Sequence, residues 1–406
     1  MKKINIFITI LILSPILAFN QQSDNKEFLN YLNIDTIVSL KGTGELRKNA
    51  GKNLQSCIYE NDYYILKVEE FGKIDTLNLW KINLINFEQH KLKCVIGKKL
   101  KNKKDLREKP ANFQVIANNI YIQGFHRIFV FHETSANTYE YSNTINLNST
   151  YWKSIKYFDN KLLLIDFNNP ICKIGLFDFN KQKFTSKINI DYSLPALSHI
   201  GDDSYFTCSE NNIAVVDAIN YKISIYNKKL KIINSFSKND STWDRLHDTI
   251  IEEFNNQEPG IDAVQLLMKY EQKFCRVSKI YFAGNNYLFV FYLINRENLP
   301  FEEHYFHVDI WKYSNTENTF ILIKENLTNK HLNNNKIVTI DNYPLLFRFY
   351  ETGKPTFTNK YLIIPKYESA DSPFGITYEK FKKNRDDYVL ENDPIVKLYF
   401  YKLNIK

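Results

Sequence analysis

The sequence lacks the short motifs that carry much of enzyme chemistry. It contains no G-x-S-x-G elbow, no H-E-x-x-H pair and no phosphate-binding loop. Its five cysteines are odd in number and widely spaced, without a C-x-x-C pair, so neither a disulfide framework nor a zinc site is indicated. We expect them to be small buried apolar residues, and no cofactor or bound metal is predicted.

Long apolar runs are also missing beyond the N-terminus. Two lysines at positions 2 and 3 precede the apolar stretch Ile4–Leu17, and polar residues follow. This is the pattern of a secretory signal peptide, so residues 1–20 are predicted to be removed by a cut between Ala18 and Gln21. The alternative is an N-terminal membrane anchor, but the run is shorter than the roughly 20 residues that span a bilayer.

The chain is therefore predicted to be exported, without a transmembrane span in the mature protein. No cysteine precedes Cys57, so a lipid anchor at the signal-peptide junction is not expected. Residues 21–34 are expected to be a linker and residues 35–406 a single domain. The periplasm, the outer surface and the medium all remain open as the final location.

Positive charge is spread along the chain, which has a formal net charge of +8. Only Lys98–Lys109 concentrates it, and that segment has no interleaved aromatic residues on which bases would stack. A nucleic-acid partner is therefore not predicted. The segment is interpreted as a solvated loop, with contact to an anionic partner as the alternative.

Two signatures recur in order along the chain. The first is a polar pair, usually with asparagine, followed by strand-forming residues. Asparagine tolerates positive φ, so each pair predicts a tight hairpin turn. The six pairs are Asn61 and Asp62, Asn118 and Asn119, Asp159 and Asn160, Asn211 and Asn212, Asn285 and Asn286, and Thr358 and Asn359.

The second signature alternates polar and apolar residues and ends on an aromatic residue, as in TLNLWK. Alternation places the aliphatic residues on one face of a strand and the aromatic residue on the other. Along the chain the aromatics are spaced by 51, 46, 49, 85 and 90 residues. They are Trp80, Phe131, Phe177, Tyr226, Trp311 and Tyr401.

Six ordered copies of 40–50 residues with three or four strands each are typical of a β-propeller. The sequence thus predicts an all-β, six-bladed β-propeller of four-stranded blades. The two stretched spacings indicate insertions, one of them a helical insertion at 239–276 between blades 4 and 5. Ser241 with Asp244, and Asp262 with Gln265, are predicted helix caps there.

The last copy ends after its third strand, at the C-terminus. A fourth strand must come from elsewhere, because otherwise a sheet edge would stay open. Asp35–Lys41 is a free N-terminal strand of suitable length. We expect it to complete the last blade and to join the two ends of the chain.

The N-terminal apolar segment, the repeats and the C-terminal LENDPIVKLYFYKLNIK resemble those of the secreted, six-bladed, TolB-like β-propellers of bacteria. The resemblance covers nearly all of the mature chain. It implies the fold and an exported location. It implies no particular site residues.

Strand order in such blades places the turns between strands 1 and 2, and between strands 3 and 4, at one end of the ring. The links between blades and the turns between strands 2 and 3 lie at the other end. All the long insertions are of the second kind, so they are expected at one loop-rich face, where binding residues usually lie. The candidate site residues at this face are His126, Arg127, Trp152, Asp166, Asp217, Trp243, Arg296 and His304.

Two of these candidates are carboxylates that end second strands in adjacent repeats. Asp166 and Asp217 are suited to acid–base hydrolysis or to holding calcium, or alternatively to accepting hydrogen bonds in turns. Another acidic and histidine-rich stretch, residues 302–309, ends with His307 and Asp309. It is interpreted as a solvated loop and strand edge rather than as a metal site.

Three function classes follow. The first is a non-catalytic binding module that recognises a protein, peptide or glycan at the loop-rich face. The second is a glycan- or ester-cleaving hydrolase or lyase that acts at the channel mouth. The third is a structural subunit of an envelope assembly that docks through the helical insertion. No pattern in the sequence indicates an oligomeric state.

Overall fold

The described part of the chain is built almost wholly of antiparallel strands. None of its helices is long and apolar enough to cross a membrane. A computed structural model describes residues 28–40, 54–67, 76–97, 112–124, 127–147, 152–166, 172–190, 205–238, 243, 248–256, 270, 273–295, 307–328, 356–368 and 395–405.

The first described elements are a 3₁₀ turn, Phe28–Tyr31, and strand β1, Leu32–Ser39. Six units of up-and-down strands follow. Units 1 and 2 share one eight-stranded sheet, because their fourth strands pair in parallel. Unit 1 comprises β2 (Leu54–Tyr59), β3 (Asp62–Lys67), β4 (Thr76–Asn83) and β5 (Gln89–Val95), and unit 2 comprises β6 (Asn112–Ile116), β7 (Asn119–Gln123), β8 (Arg127–Ser135) and β9 (Thr138–Asn146).

Units 3 and 4 are separate four-stranded sheets in which each strand pairs with the next along the chain. Unit 3 comprises β10 (Trp152–Phe158), β11 (Lys161–Asp166), β12 (Cys172–Asp178) and β13 (Lys183–Ile190). Unit 4 comprises β14 (Phe206–Cys208), β15 (Ile213–Asp217), β16 (Lys222–Tyr226) and β17 (Ile232–Ser237).

Unit 5 has the same strand order as units 3 and 4, and the outer strand of unit 6 is the N-terminal strand β1. Among the described residues between units 4 and 5, Asp248–Asn255 form the helix α1. Unit 5 comprises β18 (Arg276–Ala283), β19 (Tyr287–Leu293), β20 (His307–Ser314) and β21 (Thr319–Thr328), and unit 6 comprises β22 (Thr356–Phe357), β23 (Tyr361–Glu368), β24 (Ile395–Leu403) and β1.

Both signatures of the sequence correspond to strands in these units. Each Asn-containing pair falls at a hairpin between the first and second strands, and each aromatic signature is a third strand. Among the six pairs, however, only Asp159 and Asn160 in unit 3 have positive φ; in units 1, 2 and 5 the positive φ lies one residue earlier, at Glu60, Ala117 and Gly284. The sheet of units 1 and 2 also differs from expectation, because β5 and β9 join what the sequence predicts as two separate sheets.

Apolar cores lie between consecutive units. In β4, Leu77 and Leu79 pack in the core shared with unit 2, whereas Trp80 packs in the core shared with unit 6. The same division holds in β12, where Ile174 and Phe177 belong to cores on opposite faces. This is the arrangement that strict alternation predicts, and it makes each unit depend on both neighbours for burial.

The N-terminal segment closes the set of cores. β1 pairs with β24 in antiparallel register, from Leu32 opposite Leu403 to Ser39 opposite Lys397. The Tyr361 hydroxyl donates a hydrogen bond to the Asp35 carboxylate at 2.8 Å. The predicted pairing with the last strand is therefore present over residues 35–39; it begins earlier than predicted, at Leu32, and Lys41 lies outside the described residues.

Part of the expected linker 21–34 is structured, and residues 21–27 lie outside the described residues. Residues 28–34 form the 3₁₀ turn and the start of β1. Phe28 holds this segment against unit 5, because its ring centre lies 5.8 Å from that of Phe289 and 5.7 Å from that of Phe291. In the segment between units 4 and 5, α1 begins at Asp248. The predicted caps at positions 241, 244, 262 and 265 lie outside the described residues.

The two ends of the units differ in their connections. Turns between first and second strands, and between third and fourth strands, are two to five residues long. Contacts hold these short turns together across units: Asn285 Nδ2 donates to Glu210 at 3.1 Å, and Lys228 forms an ion pair with Asp159 at 3.1 Å. The longest connections, at 238–275, 329–355 and 369–394, all begin from the opposite strand ends. We call these the short-turn end and the loop-rich end.

The face alternation of β1 gives a test of its role. Val38 is buried at 9% exposure in the core between units 6 and 1, whereas its neighbour Ile37 is 47% exposed. We expect Val38→Asp to lower the free energy of unfolding by about 3 kcal/mol, because it buries an unpaired carboxylate. Ile37→Asp is the matched control and should change it by less than about 1 kcal/mol. Urea unfolding of both variants measures this, and equal losses would contradict the assigned register.

Candidate functional site

The structure describes five of the eight predicted site residues. His126, Arg296 and His304 lie outside the described residues. Arg127 opens β8 and is partly exposed. Trp152 and Asp166 stand opposite each other in the β10–β11 register, at the loop-rich end of unit 3, in described backbone.

Asp217 has a turn role in the structure. Its carboxylate accepts hydrogen bonds from the backbone N–H of Ile219 at 3.2 Å and from Asn220 Nδ2 at 2.9 Å. These contacts shape the connection between β15 and β16. The turn-forming alternative weighed for this residue is thus present, and Asp217 lies at the loop-rich end of unit 4.

Trp243 joins the segment after unit 4 to the same turn. Its indole N–H donates to the Ile219 carbonyl at 2.8 Å. The centre of its ring lies 5.1 Å from the ring centre of Tyr221 and 5.6 Å from that of Tyr292. The structure therefore brings Trp243 close to the Asp217 turn, above the boundary between units 4 and 5.

Beneath Trp243 lies a buried polar cluster that we call the Asp309 cluster: Tyr221, Lys238, Tyr292, Asp309 and Asn326. The Lys238 ammonium contacts the Asp309 carboxylate at 3.1 Å, with side chains only 5% and 0% exposed. Asp309 also accepts hydrogen bonds from the Tyr221 hydroxyl at 2.7 Å and from the Asn326 backbone N–H at 2.8 Å. A buried charge needs such compensation, and here it comes from both units.

Two aromatic residues extend the cluster. The Trp311 indole N–H donates to the Tyr221 hydroxyl at 3.2 Å. Burial, followed by the negative charge of Asp309, raises the pKa of Tyr221 well above its usual value. The phenol therefore stays a hydrogen-bond donor. The carboxylate of Asp309 and the ammonium of Lys238 neutralise each other in a buried position. This arrangement suits a structural contact between units 4 and 5 better than catalysis on a substrate.

His307 stands beside the cluster on β20. Its ring stacks on Tyr292 at 5.3 Å and is buried. Burial, and then the nearby Lys238 ammonium, lower the pKa of His307 to about 4. The interpretation of 302–309 as a solvated loop and strand edge is thus wrong for His307 and Asp309, because the strand carries both into the contact with unit 4.

A second feature is a central cavity of about 240 Å³. Each of the six first strands contributes to its wall, and each of these strands is the edge of its sheet. The cavity thus lies where six open edges converge. Each strand contributes at least one polar side chain to the lining: Ser56, Asn112, Gln114, Lys156, Thr207, Lys279 and Thr356.

Several of these side chains also bond neighbouring strands. Gln114 Nε2 donates to the Ile58 carbonyl at 3.2 Å, and Thr207 accepts from the Phe282 backbone N–H at 3.3 Å. The hydroxyls of Ser56 and Thr356 are 2.9 Å apart and join unit 1 to unit 6. Side chains therefore satisfy part of the backbone that open sheet edges leave unpaired.

A double-mutant cycle tests the Asp309 cluster. We expect Asp309→Leu to cost about 3–5 kcal/mol of unfolding free energy, because the Lys238 ammonium then stays buried without its acid. Adding Lys238→Met should recover part of the loss, with a coupling of roughly 1–3 kcal/mol. Urea unfolding of the two single variants and the double variant gives the coupling. Additive losses would show that the two groups do not act together.

The low pKa of His307 gives a pH prediction. Its folded-state pKa of about 4 lies below the ordinary value of 6.5, so the unfolded chain takes up a proton before the folded chain does. Stability should therefore fall as pH drops from 6.5 to 4, by up to roughly 3 kcal/mol. Urea unfolding across this range should show a flatter profile for His307→Phe. His132→Phe, at an exposed strand position, is the control and should keep the wild-type profile.

Comparisons with known proteins concern the fold alone. No protein-family model matches the chain, and no curated protein matches its sequence significantly. Among solved structures, a Bacteroides fragilis protein provisionally named as exported superposes with a TM-score of 0.51 at 13% identity, covering 93% of this chain and 97% of its own.

Two further structures are less similar. A member of the DUF4221 family from Bacteroides vulgatus has a TM-score of 0.47 at 9% identity, with 91% of this chain and 97% of that chain covered. A Bacteroides fragilis protein provisionally named as a 6-phosphogluconolactonase has a TM-score of 0.39 at 13% identity, with 80% and 82% covered. The first comparison indicates that the arrangement of strands over nearly the whole chain is one that an experimentally solved protein also adopts.

Proposed function

We propose that the six units are the blades of a six-bladed β-propeller. The proposal is supported by the order of strands in each unit, which runs from an inner edge to an outer edge. It is supported also by the cores between consecutive units, including the one between units 6 and 1, and by the single cavity that all six first strands line. In such a ring the cavity is the central channel.

We propose further that the chain is exported by a signal peptide at residues 1–20 and works outside the cytoplasm. The support is the N-terminal pattern of two lysines followed by the apolar stretch Ile4–Leu17. The structural neighbour that is provisionally named as exported agrees with this location. The domain proper then runs to residue 406, with its first strand close behind the cut.

The function that the geometry supports best is a non-catalytic binding module that recognises a protein, peptide or glycan at the loop-rich end. One observation carries it: the short-turn end is tied together by contacts between turns, whereas every long connection leaves from the other end. Folding requires no such asymmetry, since long loops cost only modest closure entropy. Variable connections on a rigid scaffold are where binding residues concentrate.

A hydrolase or lyase is the alternative. The observation that favours it is that Asp166 and Asp217 both end second strands, in adjacent units and at the same end. Glycoside cleavage requires two carboxylates that flank the scissile bond. Asp217 already accepts three hydrogen bonds within its turn, which suits it to a structural role. Loss of turnover in Asp166→Asn and Asp217→Asn, on a glycan or ester that the wild type cleaves, would favour the enzyme.

Paired variants at the two ends test the binding proposal. The mature protein is first screened on glycan and peptide arrays, and the strongest ligand is measured by calorimetry. The double variant His126→Ala/Arg127→Ala removes two polar side chains at the loop-rich end and should weaken that ligand at least about tenfold, the loss expected for charge-assisted contacts.

The matched control is Lys181→Ala/Lys228→Ala at the short-turn end. It removes two basic side chains from turns between third and fourth strands. Binding should be unchanged there within a factor of about two. If the control variant loses the ligand and the first variant keeps it, recognition lies at the short-turn end and the binding proposal is wrong.

A further inference from the structure

The outer strand of unit 4 has an open edge. Among the described strands, β17 pairs with β16 alone, so its other side has no partner strand in this part of the chain. An open edge can bind an extended peptide, because its N–H and C=O groups have the spacing of a second strand. The described strands β13, β21 and β1 are likewise outermost in units 3, 5 and 6. The side chains on these edges therefore decide which of them can accept another strand.

Of these four described outer strands, β17 is the one without a charged side chain. Its sequence is IINSFS. By contrast, β1 contains Asp35, β13 contains Lys183 and Lys187, and β21 contains Lys324 and Glu325. Charged side chains on an edge strand hinder pairing with another chain. β17 is therefore the least protected of the four edges.

Exposed apolar side chains stand at the start of β17. Ile232 is 59% exposed and Ile233 is 51% exposed, and they are the one adjacent pair among the exposed large hydrophobic residues of the described chain. Further along the strand, the ring centre of Phe236 lies 4.4 Å from that of Trp311 and 5.8 Å from that of Phe320, both in unit 5. The contact with unit 5 thus fixes the strand, while the two isoleucines remain accessible to a partner.

A short length of edge is enough for strand pairing in this protein. The register of β16 and β17 shifts at Ile233, and the regular stretch beyond it is 234–237. The outer strands of units 1 and 2 already pair with each other, and that pairing joins three residues of each strand, 93–95 and 138–140. The regular part of β17 is therefore as long as an edge that is known to accept a strand in this chain.

Lysines flank the uncharged edge at both ends. Lys229 and Lys231 precede β17, and Lys222 pairs with Ser237 at its far end. The three lysines are exposed, and none has an acidic side chain within ion-pair distance in the described part of the chain. Two copies of this edge would bring like charges together in either direction of pairing, whereas a strand with acidic ends would neutralise them.

We propose that β17 binds an extended segment of another protein, which adds to the four-stranded sheet of unit 4 as a fifth strand. The middle of this segment is uncharged, with apolar side chains against Ile232 and Ile233. Its ends are acidic and contact the flanking lysines. This surface is separate from the loop-rich end, so either proposal can fail while the other stands.

Three fluorescein-labelled peptides serve as probes of the mature protein, with binding followed by fluorescence anisotropy. EEVTVTVTEE has the proposed chemistry, KKVTVTVTKK reverses its charge, and EEVPVPVPEE keeps the charge but cannot form a regular strand ladder. We expect saturable binding of the first peptide and binding at least about tenfold weaker for the other two at low ionic strength. Equal affinity for the first and either of the others, or no saturable binding of the first, would overturn the proposal.

A pair of double variants tests the flanking charge. Lys229→Gln/Lys231→Gln should weaken the acidic strand-forming peptide about threefold or more, the loss expected for two exposed ion pairs. The matched control, Lys181→Gln/Lys183→Gln, changes two exposed lysines at the corresponding turn of unit 3, before the outer strand β13. It should leave the affinity unchanged. Equal weakening by both double variants would indicate general attraction to a basic protein and would rule out the assigned edge.

Hydrogen exchange, followed by peptide mass spectrometry, examines the edge on the wild-type chain. With EEVTVTVTEE bound, the amides of 232–237 should exchange at least about fivefold more slowly, because strand pairing protects them, and those of 183–190 in β13 should not change. Protection that appears elsewhere and spares 232–237 would contradict the proposal. Slower exchange of 232–237 at raised protein concentration without peptide would make a second copy of this chain the occupant, which also contradicts it.

Discussion

Each unit buries its apolar faces only against its two neighbours, so the whole arrangement depends on the contact between the last unit and the first. That contact is made by β1 beside β24 and by the core that contains Val38, Trp80 and Phe400. Without it two sheet faces and one strand edge would be left to water. The N-terminal strand therefore joins the six similar units into a single body.

The same constraint explains the polar chemistry of the interior. The first strands are the inner edges of their sheets, so part of their backbone has no partner strand. Hydroxyl, amide and ammonium side chains, rather than apolar ones, therefore line the space between these edges. At the boundary of units 4 and 5, Lys238 and Asp309 come from different units and form an ion pair that is almost wholly buried. A buried ion pair of this kind contributes little net stability, but it penalises any packing that separates its partners. Polar groups thus specify the fit of sheets whose apolar faces are much alike.

Much of the fold was predictable from the sequence because its signals are local. Alternation in KIGLFD and KISIYN marks third strands, and asparagine pairs mark the hairpins before second strands. The Asp309 cluster was harder to predict, because its residues come from two units and make contact only in the folded protein. Asp309 stands alone between Val308 and Ile310, and only the facing Lys238 and Tyr221 give it a role. The parallel pairing of β5 with β9 likewise depends on how two units approach, which no local pattern encodes.

The pairing of the chain's beginning with its end has a consequence for biogenesis. Asp35 and Tyr361, 326 positions apart, are joined by a hydrogen bond in the same sheet. The first strand must therefore wait, unpaired, until the final strand has left the ribosome or the secretion channel. Contacts of such long range slow folding and leave an exposed ribbon that neighbouring molecules can capture. If the chain is exported as proposed, crossing the membrane unfolded would let it assemble only once its whole length has arrived.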